Sequence, residues 1–201
     1  MKKRRKEIKK RGFLAHNYNK SWEYIKESNK FIWFVVILFF ISVIIGFLYH
    51  PPVIENSILD YIKEVLTKTD GMSPTRIIIF IFINNIQSSF AGILFGFALG
   101  AFPFIVTLAN GYVVGYVSSF AVSSSGILSL VSLLPHGIFE LPAVFISFGM
   151  GIKFGTFIFY KEKAKYFNKF FINSLRVFIF VIIPLLTIAA IIEGSLISIV
   201  N

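Results

Sequence analysis

Residues 31–49 read FIWFVVILFFISVIIGFLY. These are nineteen almost uniformly apolar side chains, and a helix of that length just crosses a hydrocarbon core of about 30 Å. Downstream, Tyr49-His50-Pro51-Pro52 stops the helix and offers no small-residue cleavage pattern. Upstream, a thirty-residue basic arm is long for the n-region of a signal peptide. The stretch therefore reads as a retained first span.

The rest of the chain agrees with a bilayer solvent. Of 201 residues 56% are apolar or aromatic and 15% are charged, at a mean hydropathy of +0.76. Soluble domains carry about 25% charge, and a chain this short has no interior large enough for so much apolar side chain. Further spans are expected over 76–101, 103–120, 140–160 and 172–192, giving an all-α polytopic membrane protein with about five transmembrane helices. The chain divides into an N-terminal arm with an interfacial helix (1–30) and one transmembrane domain (31–201). Tyr18, Trp22, Tyr24 and Ile25 alternate with Lys20, Lys26 and Lys30, as in a helix lying at the membrane surface. Between 53 and 70 the apolar residues recur at helical spacing against a polar face, which predicts an outer amphipathic helix.

The fourth span is preceded by a short apolar segment, Ile127–Leu134, expected as an interfacial or re-entrant piece. Pro135 and Pro142 predict a proline-broken start to this span. Pro184 predicts a kink in the fifth, and 161–169 reads as a basic loop. Residues 1–30 carry eleven basic and three acidic side chains, 152–176 six and one, and 50–76 three and four. Cytoplasmic flanks are the basic ones, so the N-terminus is expected in the cytoplasm and the C-terminus outside a cell membrane. Lys153 is expected to snorkel toward the inner surface. The arm's charge reads as topology and lipid contact, with no nucleic acid expected. No cysteine is present, so disulfides and thiolate metal sites are excluded.

Glycines recur every four residues at Gly92, Gly96 and Gly100, again at Gly111 and Gly115, and again at Gly151 and Gly155. Such stripes let helix backbones approach in lipid. The tight turn between the second and third spans makes their mutual packing the first expectation, and pairing with a second copy of the chain the other. Polar groups at membrane depth form a second pattern: Asn84, Asn85, Asn110, His136, Glu140 and Glu193. Charged groups there cost at least about 2.5–3.5 kcal/mol, so they face a cavity or one another. Three readings stay open for this polar cluster: a structural pair between His136 and Glu140, a path for ions or solute, or ligands of an embedded metal hydrolase. The last lacks a second intramembrane histidine, and no cofactor or metal is expected.

Leu134-Pro135-His136-Gly137-Ile138-Phe139-Glu140-Leu141-Pro142-Ala143, followed by Gly149-Met150-Gly151, resembles the signature of the stage II sporulation protein M family. Asn84-Asn85, Pro103…Asn110-Gly111…Gly115, Trp22…Tyr24-Ile25 and Glu193 resemble it too. The resemblance implies a polytopic protein of about five spans acting as a non-enzymatic scaffold for envelope or membrane-remodelling partners. A transporter or permease subunit with an intramembrane polar path is the alternative. The expected partners are the lipid bilayer and other membrane or envelope proteins.

Overall fold

The computed structural model describes residues 12–200, with side chains except at 132–136, 139 and 193–200; the basic arm before residue 12 falls outside the described residues. Helices α1 (Phe13–Glu27), α2 (Asn29–Leu48), α3 (Pro52–Thr69) and α4 (Pro74–Leu94) lead through a short 3-10 turn into α5 (Ala101–Ser125). A 3-10 segment, Ile127–Leu133, precedes α6 (Leu134–Gly155). Next come α7 (Lys163–Val177), a π turn at Phe178–Ile182 and α8 (Ile183–Val200). Among the described residues five helical stretches are long and apolar enough to span a membrane: 29–48, 74–97, 101–125, 140–159 and 163–192. Proline opens α3 and α4, where its missing N–H costs nothing. Helices α1 and α3 flank α2 in the chain and so mark its opposite ends.

Helix α6 sits at the centre, packed against α2, α4, α5, α7 and α8. It contributes Ala143, Phe148, Met150 and Phe154 to the buried core. The fourth span is not broken by its prolines. It runs as one α-helix with Pro142 inside. Pro135 falls in the first turn, where no hydrogen bond is lost, and Pro142 frees only the carbonyl of Ile138. Tertiary packing of the following residues outweighs that single loss. At Pro184 the expected irregularity takes the form of the π turn just before it, at the level where the proline leaves a carbonyl without its donor.

The basic segment 161–169 is not a loop throughout. Helix α7 begins at Lys163 because Phe170, Ser174 and Val177 form a stripe buried in the bundle, and α1 packs against the helix. Helix α1 in turn buries Ser21, Tyr24 and Ile25. It leaves Tyr18 and Trp22 exposed, as expected at an interface.

The glycines meet other partners than those expected. Helices α4 and α5 turn tightly at Leu99 and Gly100, both with positive φ (58° and 72°), yet the two spans barely touch. Gly111 and Gly115 lie on α2, against Phe39, Ser42 and Val43. Gly92 and Gly96 lie on α6, against Phe148 and Gly151. Gly155 reaches the turn itself, against Leu99 and Gly100. In both pairings the residue numbers rise together, so the close pairs are parallel helices, α2 with α5 and α4 with α6. A short connection brings helix ends together but does not oblige helix bodies to pack, and in lipid the glycine stripes choose the neighbour.

Candidate functional site

Along α4 and the 3-10 turn that follows it, residues 84, 88, 92 and 96 are spaced by about one turn and share a face. Its first half carries Asn84, Asn85 and Ser88, and its second half carries glycine. Where the glycines are, α4 and α6 touch; where the amides are, the helices stand apart. The gap is a cavity of about 360 Å³. Asn84, Asn85 and Ser88 line it from α4, Thr107 and Asn110 from α5, and Glu140 from α6. Phe39, Phe145 and Phe148 supply apolar wall, and Tyr61 of α3 reaches in from the outer helix. Four of the six residues expected as a polar cluster are thus brought together. The side chains of His136 and Glu193 lie outside the described residues; residues 136 and 140 stand one turn apart on the continuous α6.

The cavity is unevenly satisfied. Thr107 donates to the carbonyl of Pro103 in its own helix (2.6 Å). Below it Ser147 donates to the carbonyl of Ser89, while the buried Ser89 hydroxyl has no partner among the described residues. Among the described residues the amides of Asn84, Asn85 and Asn110 take part in no hydrogen bond, and Asn84 and Asn110 are exposed. Each such amide carries two donors and an acceptor, and hydrocarbon offers nothing to meet them. No group of three His, Cys, Asp or Glu side chains able to hold a metal assembles among the described residues.

Toward the α1 end the bundle closes. Phe148 is 1% exposed and forms the cavity floor. Beneath it come the Gly92–Gly151 and Gly96–Gly151 contacts. Next is a stack of rings from Phe154, Phe157, Phe167 and Phe171.

A second polar site was not foreseen. Lys153 does not snorkel to water but is 7% exposed, roofed by α1. Its Nζ donates to Ser28 Oγ (3.1 Å) and lies 4.0 Å from the centre of the Tyr24 ring. Glu27 Oε2 stands 3.8 Å away. The Ser28 hydroxyl in turn donates to the carbonyl of Tyr24 (2.7 Å). The lysine thereby fastens α1 to the bundle. The signal in sequence was a single cation within an apolar run, facing a helix that offers an aromatic ring, a hydroxyl and a carboxylate within five residues.

Burial pushes the Tyr24 phenol well above its ordinary value of 10, an effect the nearby Ser174 hydroxyl only partly offsets. Below that pH the phenol is neutral whether the chain is folded or not. Above it the unfolded chain ionises first, so the native state holds more protons and loses stability as pH rises. Resistance to denaturation is therefore expected to fall above pH 10, and Tyr24→Phe is expected to reduce that fall. Unfolding midpoints of both proteins at neutral and alkaline pH check this; an identical alkaline loss in the variant refutes it.

The family described as stage II sporulation protein M matches residues 35–196. An uncharacterized protein of Methanocaldococcus jannaschii is similar, 28% identical over 193 residues, covering 84% of this chain and 82% of that one. No solved structure matches.

Proposed function

The chain belongs to the stage II sporulation protein M family, and on that footing we propose that it is a non-enzymatic scaffold of the cell membrane. It recognises partner proteins within the bilayer through the Asn84/Asn110 cleft. The basic segments at the α1 end favour a cytoplasmic N-terminus, with the cleft toward the opposite face. The observation that carries the reading is the pair of exposed, unspent amides at hydrocarbon depth. A polar side chain on a partner's transmembrane helix would satisfy them, each interhelical bond contributing about 0.6–2 kcal/mol.

A cavity at mid-depth with a carboxylate in its wall also suits a transporter. Against that reading stands the closed lower half, where backbones touch and rings stack, so that passage would require prising α4 from α6.

The test places a photo-crosslinking residue at position 84, 110 or 37 of the full chain in its native membrane. Ile37 is 57% exposed on α2 and serves as the lipid-facing control. Protein adducts are expected from 84 and 110 and none from 37. Asn84→Leu and Asn110→Leu are expected to leave thermal stability equal or higher, since each removes an unpaired amide, while abolishing the adduct at the other position. Equal adducts from all three positions refute the cleft as a recognition site. A solute flux in liposomes that Glu140→Gln abolishes transfers the function to transport.

A further inference from the structure

We infer that the junction of α1 and α7 is a binding site for the phosphate headgroup of an anionic phospholipid, centred on Arg176. This side chain lies in the last turn of α7, immediately before the apolar run that begins at Phe178. That is the level at which headgroups meet hydrocarbon. It is held in place from two sides. Nε donates to Asn17 Oδ1 of α1 (3.1 Å), and Nη1 donates to Asn173 Oδ1 of α7 (2.6 Å).

Both acceptors are neutral amides, so they orient the guanidinium without offsetting its charge. Of its five N–H donors, these two are occupied among the described residues. Among the described residues no carboxylate stands within ion-pair distance of Arg176, and those of α1 are engaged elsewhere, Glu23 with Lys20 and Glu27 near Lys153. A half-buried cation, aimed by two side chains and given no counter-charge by the described residues, is suited to one from its surroundings. The planar fork matches the paired oxygens of a phosphodiester.

The neighbourhood fits a lipid specifically. Lys169 lies two turns earlier on the same face of α7 and is exposed, placing a second positive charge on the aqueous side. On the membrane side the Phe13 ring meets Phe180 edge-on at 6.2 Å, and Phe13 and Leu14 are exposed beside it. Apolar side chains below a cation and a solvated lysine above it reproduce the polarity gradient of a phospholipid. With both α1 carboxylates engaged, the site offers nothing to an ammonium headgroup, which favours an anionic lipid over a zwitterionic one.

The full chain is reconstituted in nanodiscs of phosphatidylcholine with and without phosphatidylglycerol, and retained lipid is counted by native mass spectrometry. Wild type is expected to retain phosphatidylglycerol selectively. Arg176→Gln is expected to lose that retention about tenfold, since it removes charged hydrogen bonds. Arg176→Lys is expected to recover part of it. Lys169→Gln alters an exposed side chain only and gives a smaller loss in the same direction, so the reading survives should Arg176→Gln fail to fold. Lys68→Gln, at the α3 end, is expected to change nothing. Unchanged retention in both Arg176→Gln and Lys169→Gln overturns the proposal, as does equal loss in Lys68→Gln. Displacement of the lipid by inorganic phosphate at equal concentration also overturns it, because the site would then be one for the free ion.

Discussion

Gly115→Ala and Gly151→Ala are expected to destabilise the protein by about 3 kcal/mol each, the upper end of what overpacking costs. The corresponding valines are expected to leave no folded protein. A methyl group on Gly115 would fall inside van der Waals contact of the Val43 carbonyl, and one on Gly151 inside that of the Gly92 carbonyl. Neither obstacle is a side-chain tip that can swing aside. The sign is diagnostic, because in an uncrowded helix the same change stabilises by about 1 kcal/mol. Gly12→Ala, at the N-cap of α1 where a methyl meets nothing within 4 Å, controls for crowding alone, since a cap position gains no helix propensity. The measurement is the unfolding free energy in mixed micelles, with monodispersity checked for each variant. A neutral or stabilising Gly115→Ala would falsify the backbone contact between α2 and α5, and Gly151→Ala does the same for α4 and α6.

Phe148→Ala carries the second large effect. The ring is 1% exposed, rests on Gly92 and separates the polar cavity from the glycine contacts below. In water such a truncation costs about 3–5 kcal/mol, part from transfer and part from the void left behind. In a bilayer the transfer part shrinks, since the unfolded helices still lie in hydrocarbon, and the void remains. A loss on the order of 3 kcal/mol is therefore expected. The enlarged cavity is still stopped by the glycine contact, so no ion or solute leak is expected in liposomes. A variant that is stable and leaky would place a conduction path where the helices are described as touching.

Much of this fold was legible in the residues. Span number followed from apolar run length, and the helical face of α3 from its spacing. The cost of polar groups in hydrocarbon left two arrangements for Asn84, Asn85, Asn110 and Glu140, a cavity or one another, and the structure has all four lining one cavity. What could not be read was partner choice. Gly92, Gly96, Gly111 and Gly115 announce close approach without naming the helix approached, and the turn at Gly100 suggested the wrong one. Pro142 looked like a break because local rules price one lost hydrogen bond and cannot weigh it against the burial of Ala143, Phe145 and Phe148. Helix α7 was partly hidden behind its lysines, although Tyr166, Phe167, Phe170, Phe171 and Ser174 already recur at three- and four-residue steps. Lys153 was misplaced for a related reason. Snorkelling presumes water above the residue, and here α1 lies there instead.

The face of α4 that changes from amide to glycine along its length makes a mechanical statement. Two rods riveted along one half can part only along the other. Whatever seats itself beside Asn84 will spread α4 and α6 like the jaws of tongs, with the Gly92–Gly151 contact as the pivot. The motion will be felt at Tyr61 and the outer helix, while the Lys153 fastening at the far end stays still.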